Sequence, residues 1–242
     1  FHFDYKLKVV PFMAKSMKKV VGCPSCGVLE EFIAYPSITI PTDRDMRDKV
    51  LDETLFFWRC GSCDYETQMV YSCLYQDKIR KFMIYVQPKD EDPAVLKQIS
   101  VSGLEEIKKR IVSNIEELKE KVLILEAGLN DYATELVKVA LTQVVTAKWG
   151  VTPEKSFYCG IDHDKNTIEY VFYLNEEDPP VYQGIKMDVY QASLQIVESI
   201  VTEEPNAFLR IDNGVAKEIL ETHQHMQEEQ QTEQSEQEES NQ

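Results

Sequence analysis

An α+β fold is predicted for this 242-residue chain, and three observations predict it. Short β-branched and aromatic runs in the first third carry two tight cysteine turns, Cys23-Pro24-Ser25-Cys26 and Cys60-Gly61-Ser62-Cys63. After a charged, proline-bearing break at Lys89-Asp90-Glu91-Asp92-Pro93, apolar residues recur at helical spacing. From Gln227 onward the chain holds only Glu, Gln, Ser, Thr and Asn. The expected organisation is an N-terminal extension at 1–17 and a zinc-ribbon-like antiparallel β module at 18–88. A linker and helical hairpin follow at 89–149, then a small α+β module at 150–222 and a disordered acidic Glu/Gln-rich tail at 223–242.

Each element has a local reason. Val28 to Tyr35 mixes apolar and polar residues and stops at Pro36, while Ser37-Ile38-Thr39-Ile40 is β-branched and stops at Pro41. Thr42 to Asp52 reads as a charged connection with one helical turn. Leu55-Phe56-Phe57-Trp58 runs straight into Cys60, and Tyr65 to Tyr71 and Lys81 to Val86 read as strands. Ser113-Asn114-Ile115-Glu116 fits a helix-capping box, with Ile115, Leu118, Val122 and Leu125 at helical spacing behind it. Gly128 is placed to end that helix, and Asn130 or Asp131 to cap the next, which runs to about Lys148. That second helix is apolar on more than one face, the mark of burial on two sides. Phe157–Ile161 and Thr167–Leu174 read as a hairpin, Tyr190, Leu194, Val197 and Val201 as a helix, Phe208–Ile211 as a strand, and Gly214 to about His223 as a last helix. The Glu/Gln-rich end has too little apolar surface to order itself.

Charge narrows the function classes. The formal net charge is −16, spread unevenly: residues 1–88 are near neutral, and residues 221–242 carry seven Glu with no Lys or Arg. No region has the basic excess that draws a phosphate backbone. Apolar residues make up 43% of the chain, enough for real cores, yet no run approaches the roughly 18 residues of a membrane-spanning helix. The first residues lack the apolar stretch of a signal peptide. The chain opens on Phe1, which makes Met13 or Met17 a candidate natural start and 1–12 an upstream extension. Four of the six cysteines sit in tight pairs, which suits a metal in the reducing cytoplasm better than disulfides.

The chemistry therefore centres on Cys23, Cys26, Cys60 and Cys63. Two turns of this spacing supply four thiolates, the donor set of a structural Zn²⁺, and iron fits the same set. Gly27 lets the first turn close without a Cβ clash. Four protein sulfurs leave no open coordination position, which argues against catalysis at the metal. A redox dithiol would want a Cys-x-x-Cys at the start of a helix, and neither pair precedes one. Cys73 and Cys159 read as packing residues. His163 sits in the turn Asp162-His163-Asp164-Lys165-Asn166 and reads as solvated, and His223 and His225 are assigned no role. Trp58, Tyr75, Phe82 and Tyr85, interleaved with Lys78, Arg80 and Lys81, offer a stacking surface for single-stranded nucleic acid or, as the plainer reading, a core with cations at its rim. No phosphate-loop, dinucleotide, nucleophile-elbow or zincin motif is present.

From Met17 to about Leu220 the order of features resembles the CpXC-domain proteins of bacteria and archaea. The intact first motif Cys23-Pro24-Ser25-Cys26-Gly27 carries the resemblance, with the aromatic approach to Cys60, Leu74-Tyr75-Gln76-Asp77, Phe82-Met83-Ile84-Tyr85 and the helical stretches Leu118–Lys121, Glu126–Asp131 and Glu135–Lys138. The chain departs from the family pattern at Gly61, where proline is usual, at Asp64, where glycine follows the first pair, at Gln76, which replaces a histidine, and at Cys73, where proline is expected. The resemblance implies the architecture and the metal site and supplies no activity. The functional expectation is a non-catalytic cytoplasmic zinc-binding protein with a structural four-cysteine site. It would serve as an interaction module for a protein partner or a second copy of itself. Nucleic-acid binding by the ribbon is the alternative and thiol redox chemistry the second; no contact with membrane is expected.

Overall fold

The computed structural model describes residues 16–89, 91–99, 107–204 and 207–240. The expected extension at 1–17 falls almost wholly outside these residues, as does the candidate start Met13. The chain divides into two compact units, Phe1–Val122 with Pro205–Arg210, and Leu123–Glu204 with Ile211–Gln242.

The first unit opens with β1 (Met17–Gly22) and β2 (Leu29–Ala34), antiparallel from Met17 opposite Ala34 to Gly22 opposite Leu29. One face of this hairpin buries Val21, Phe32 and Ala34; the other exposes Lys18, Val20, Leu29, Glu31 and Ile33. β3 (Ser37–Ile40) and α1 (Arg44–Leu51) follow. The connection expected to hold one helical turn holds two. Asp45 in its first turn and Lys49 in its last suit the helix dipole, and Val50 alone anchors it in the interior. A second hairpin pairs β4 (Phe57–Arg59) with β5 (Glu66–Gln68).

β6 (Cys73–Asp77), β7 (Phe82–Val86) and β8 (Lys108–Val112) then build a mixed sheet on β3. β3 runs parallel to β6, β6 antiparallel to β7, and β7 parallel to β8. Sequence patterning misses β6 as an element because all five of its side chains are buried and nothing alternates. It misses β8 because Lys108-Lys109-Arg110 reads as solvent-facing, although Arg110 is fully buried. On one face of the sheet Leu74, Met83, Tyr85 and Ile107 pack with Val95, Leu96, Ile99 and Phe208. Ile38, Tyr75, Phe82 and Ile84 are also fully buried.

α2 (Ile115–Glu126) carries the point where the two units divide. Its cap lies one residue later than the sequence suggests. Asn114 Oδ1 accepts from Glu117 N at 2.8 Å, and the Glu117 carboxylate reaches back to Ser113 N at 2.7 Å. Gly128, at φ 70°, ends the helix as expected: Leu129 N bonds back to Ile124 O across it.

The second unit is built on α3 (Asp131–Trp149), β9 (Lys155–Asp162), β10 (Thr167–Tyr173), β11 (Val181–Lys186) and α4 (Met187–Ile200). The three strands form an antiparallel sheet with β10 in the middle, and Ile168, Tyr170 and Phe172 are fully buried on one of its faces. Tyr170 Oη donates to Thr134 O at 3.0 Å, and Asn130 N donates to Tyr190 Oη at 2.8 Å, so α3 is tied to both the sheet and α4. β11 is a strand the sequence hides, because Gly184 interrupts it and Pro179-Pro180 precedes it. β12 (Phe208–Leu209) returns to the first unit and pairs parallel with β8. α5 (Asn213–Ser240) differs from expectation: the polar stretch read as a disordered tail continues the helix to Ser240. Asp212 caps it by accepting from Gly214 and Val215, and Glu and Gln lose little rotamer freedom in a helix.

Asn130 Oδ1 accepts from Tyr132 N and Ala133 N at the head of the half of α3 that is buried throughout. Asn130→Ala is expected to lower stability by about 1 kcal/mol in urea unfolding, and Asn130→Asp to stay within a few tenths.

Candidate metal centre

The two cysteine turns are equivalent in their backbone bonding. In the first, between β1 and β2, Gly27 N donates to Cys23 O and Cys23 N donates to Val28 O, each at 2.9 Å. In the second, between β4 and β5, Asp64 N donates to Cys60 O at 3.1 Å and Cys60 N to Tyr65 O at 2.8 Å. The residue after each pair must turn left-handed: Gly27 has φ 75° and Asp64 φ 57°. Asp is one of the few side chains that tolerates this region. The Arg59 guanidinium holds the Asp64 carboxylate at 2.8 and 3.0 Å. That pair is exposed and adds at most about 1 kcal/mol.

An aromatic floor sets the angle between the hairpins. The Tyr71 ring meets Phe56 edge-on at 4.6 Å and Phe32 at 5.7 Å. Tyr35 N donates to Tyr71 Oη at 3.1 Å. Phe32 comes from β2 and Phe56 leads into β4, so the contact fixes one cysteine turn against the other.

All four sulfurs lie within 4.8 Å of one another. Cys23 and Cys63 approach to 3.6 Å, as do Cys26 and Cys60. A regular tetrahedron of sulfurs about 2.3 Å from a central ion has edges of about 3.8 Å, so the four thiols fit a tetrahedral cation. Cys23 and Cys60 are buried; Cys26 and Cys63 are exposed. The acidities of the two buried thiols diverge. Burial opposes the Cys23 thiolate, but the backbone N–H groups of Cys26 and Ser25 and the neighbouring Cys63 and Cys60 outweigh it and bring the group to about 7. Burial pushes Cys60 up to about 12 against the backbone N–H groups of Ser62 and Cys63. A cation would compensate the cost of four clustered thiolates.

Sequence reasoning missed Glu30, whose carboxylate accepts from Gly61 N at 3.0 and 3.1 Å and stands 3.8 Å from Cys60 Sγ. Only the register of β1 against β2, which puts Glu30 on the inner face opposite Val21, brings it there. Several buried charges also escaped: Asp77, Arg110, Glu120 and Lys121 in the first unit, and Asp131, Glu135 and Lys138 in the second. Asp77 accepts from Ile79 N, Arg80 N and Arg80 Nη1 and fixes the β6–β7 turn. Lys138 pairs with Glu135 at 2.8 Å along one face of α3.

The remaining candidate residues take plain roles. Trp58, Tyr75, Phe82 and Tyr85 are buried, so they present no stacking face, and Arg80 pairs with Asp77. Asp162 beside His163 is held by Lys165 Nζ at 2.7 Å in an exposed turn. Cys73 is fully buried, whereas Cys159 is exposed. No helix among the described residues is long and apolar enough to cross a membrane.

The site thus defines an α+β protein whose two hairpins converge in a four-cysteine cluster that could hold a metal ion. Residues 21–138, a little under half of the chain, match the family model described as CpXC protein. The match spans both cysteine turns, the sheet from β3 to β8, all of α2 and the start of α3. No curated protein and no solved structure matches the chain.

Burial also pushes the Cys73 thiol up to about 12. The folded state holds this proton more tightly than the unfolded chain does. Its contribution to stability is therefore complete below about pH 9 and is lost as pH rises toward 12. Unfolding titrations from pH 8 to 12 are expected to show a steeper alkaline loss for the wild type than for Cys73→Ala.

Proposed function

We propose that Cys23, Cys26, Cys60 and Cys63 hold one Zn²⁺ in a closed structural site, and that the ion locks two hairpins into a rigid surface offered to a protein partner. One observation carries the reading: four sulfurs from stretches 37 residues apart converge on a tetrahedral spacing through two turns of the same bonding pattern. With every coordination position filled by protein sulfur, the ion supplies folding free energy and no open site for chemistry. Zinc binding in small peptide modules is worth roughly 10–16 kcal/mol, as much as the whole net stability of about 5–15 kcal/mol of an ordinary domain. Beside the ion, the two hairpins are held to each other by the Phe32–Tyr71–Phe56 contact, and β4 and β5 are only three residues each.

An interaction role is supported by the outer face of the first hairpin. Val20 is 67% exposed, Leu29 72% and Ile33 45%, all on one side of a two-stranded ribbon. Large apolar side chains gathered this way mark contact surfaces. The reading takes the protein to be non-catalytic and cytoplasmic.

Elemental analysis of the purified full chain is expected to give one zinc per protein. Cys60→Ser is expected to lose the metal and become protease-sensitive between residues 18 and 88; a metal-free mutant that resists protease would refute the structural role. Leu29→Lys is expected to keep full zinc content while losing partners captured from the protein's own cell extract.

A further inference from the structure

We infer that Glu30 is a positioning residue of the metal centre, and that its carboxylate does for the second cysteine turn what a proline does for the first. The inference rests on the proposed metal site and concerns how firmly that site is held.

The two turns match in every backbone hydrogen bond but differ at the residue after the first cysteine. In the first turn this is Pro24, whose ring fixes φ and which has no N–H. In the second it is Gly61, the residue with the most backbone freedom to lose. The difference creates a backbone donor in the second turn that the first cannot have. Both oxygens of Glu30 accept from it, at 3.0 and 3.1 Å. A Cβ on Gly61 would sit 3.3 Å from Glu30 Oε1, so the carboxylate lies against the bare glycine backbone.

Glu30 is well placed to act as a brace. It lies on the inner face of β2, one residue beyond the strand's first pair, Gly22 with Leu29, and four residues after Cys26. A hydrogen bond from Glu30 to Gly61 therefore ties the strand leaving the first turn to the backbone of the second. It is charge-assisted, in the class worth roughly twice a neutral bond. Its oxygen stands 3.8 Å from Cys60 Sγ, near enough to hold that sulfur's backbone and too far to replace it as a donor among the four cysteines. Groups in this position orient ligands, and their removal typically lowers metal affinity by about 10–100-fold.

Four full-length proteins test this: wild type, Glu30→Gln, Glu30→Ala and Gly61→Pro. Each is loaded with one equivalent of Zn²⁺, and the rate and midpoint of transfer to a chromogenic chelator are measured. Co²⁺ loading reports the sulfur-to-metal absorption of the site. Glu30→Ala is expected to lose zinc about 10-fold faster or at about 10-fold lower chelator, with a normal four-sulfur cobalt spectrum. Glu30→Gln keeps the acceptor and is expected to lie within about 3-fold of wild type. In a Gly61→Pro background, which lacks the donor, Glu30→Ala is expected to change nothing further.

Zinc retention in Glu30→Ala equal to wild type overturns the inference and leaves the metal site standing. So does an equal further loss in the Gly61→Pro background. A wild-type protein that binds no zinc overturns both. Should Glu30→Ala fail to fold, the decision passes to Glu30→Gln and Gly61→Pro: a Gly61→Pro protein as zinc-retentive with Glu30 as without it supports the brace, and loss on adding Glu30→Gln to Gly61→Pro overturns it.

Discussion

Convergence of four sulfurs is the constraint on which the first third of the chain depends. Two hairpins with strands of three to six residues cannot bury enough apolar surface to fix their mutual angle on that basis alone. Two devices fix it instead. The Phe32–Tyr71–Phe56 contact sets the hairpins against each other from below, and the cysteine cluster closes them at the tips. The floor is made of ordinary packing and survives small errors. The cluster does not, because neutral thiols attract each other weakly and thiolates repel.

The equivalence of the two turns shows how little sequence such a turn needs. What repeats between them is a pair of backbone hydrogen bonds, a serine before the second cysteine and one left-handed residue; the residues after the first and after the second cysteine differ. Asp64 stands in for Gly27 with Arg59 on its carboxylate, and Gly61 stands in for Pro24 with Glu30 on its amide. Each departure from the first turn has a charged side chain beside it. Only at Gly61 does a polar contact stand where the first turn has the fixed φ of a proline; at Asp64 the left-handed turn is made by a side chain that tolerates it.

The cysteine pairs, the strands that end at Pro36 and Pro41, the Gly128 helix end and the Asn130 cap are all legible from the sequence, because each rests on a residue whose local chemistry has few alternatives. β6, β8 and β11 are not. β6 is buried on both sides and shows no alternation, β8 begins with three cations, and β11 carries a glycine after two prolines. Their strand state is set by neighbours distant in the chain. Glu30 was illegible for the same reason: a glutamate on a short strand looks solvent-facing until the register puts it inward. The Glu/Gln-rich end fails in the opposite sense, since a composition unable to form a core can still form a helix.

The order in which the first unit's sheet is assembled has a consequence for biosynthesis. Its outermost strand, β12, is Phe208–Leu209, whereas the neighbouring β8 ends at Val112. A ribosome must therefore make nearly a hundred more residues, including the whole of α3, α4 and the three-stranded sheet, before the edge of β8 can be covered. During that interval the nascent chain exposes an open row of peptide groups, a template for mispairing. The family match stops at Lys138, so a fragment cut to its limits would carry the same bare edge permanently.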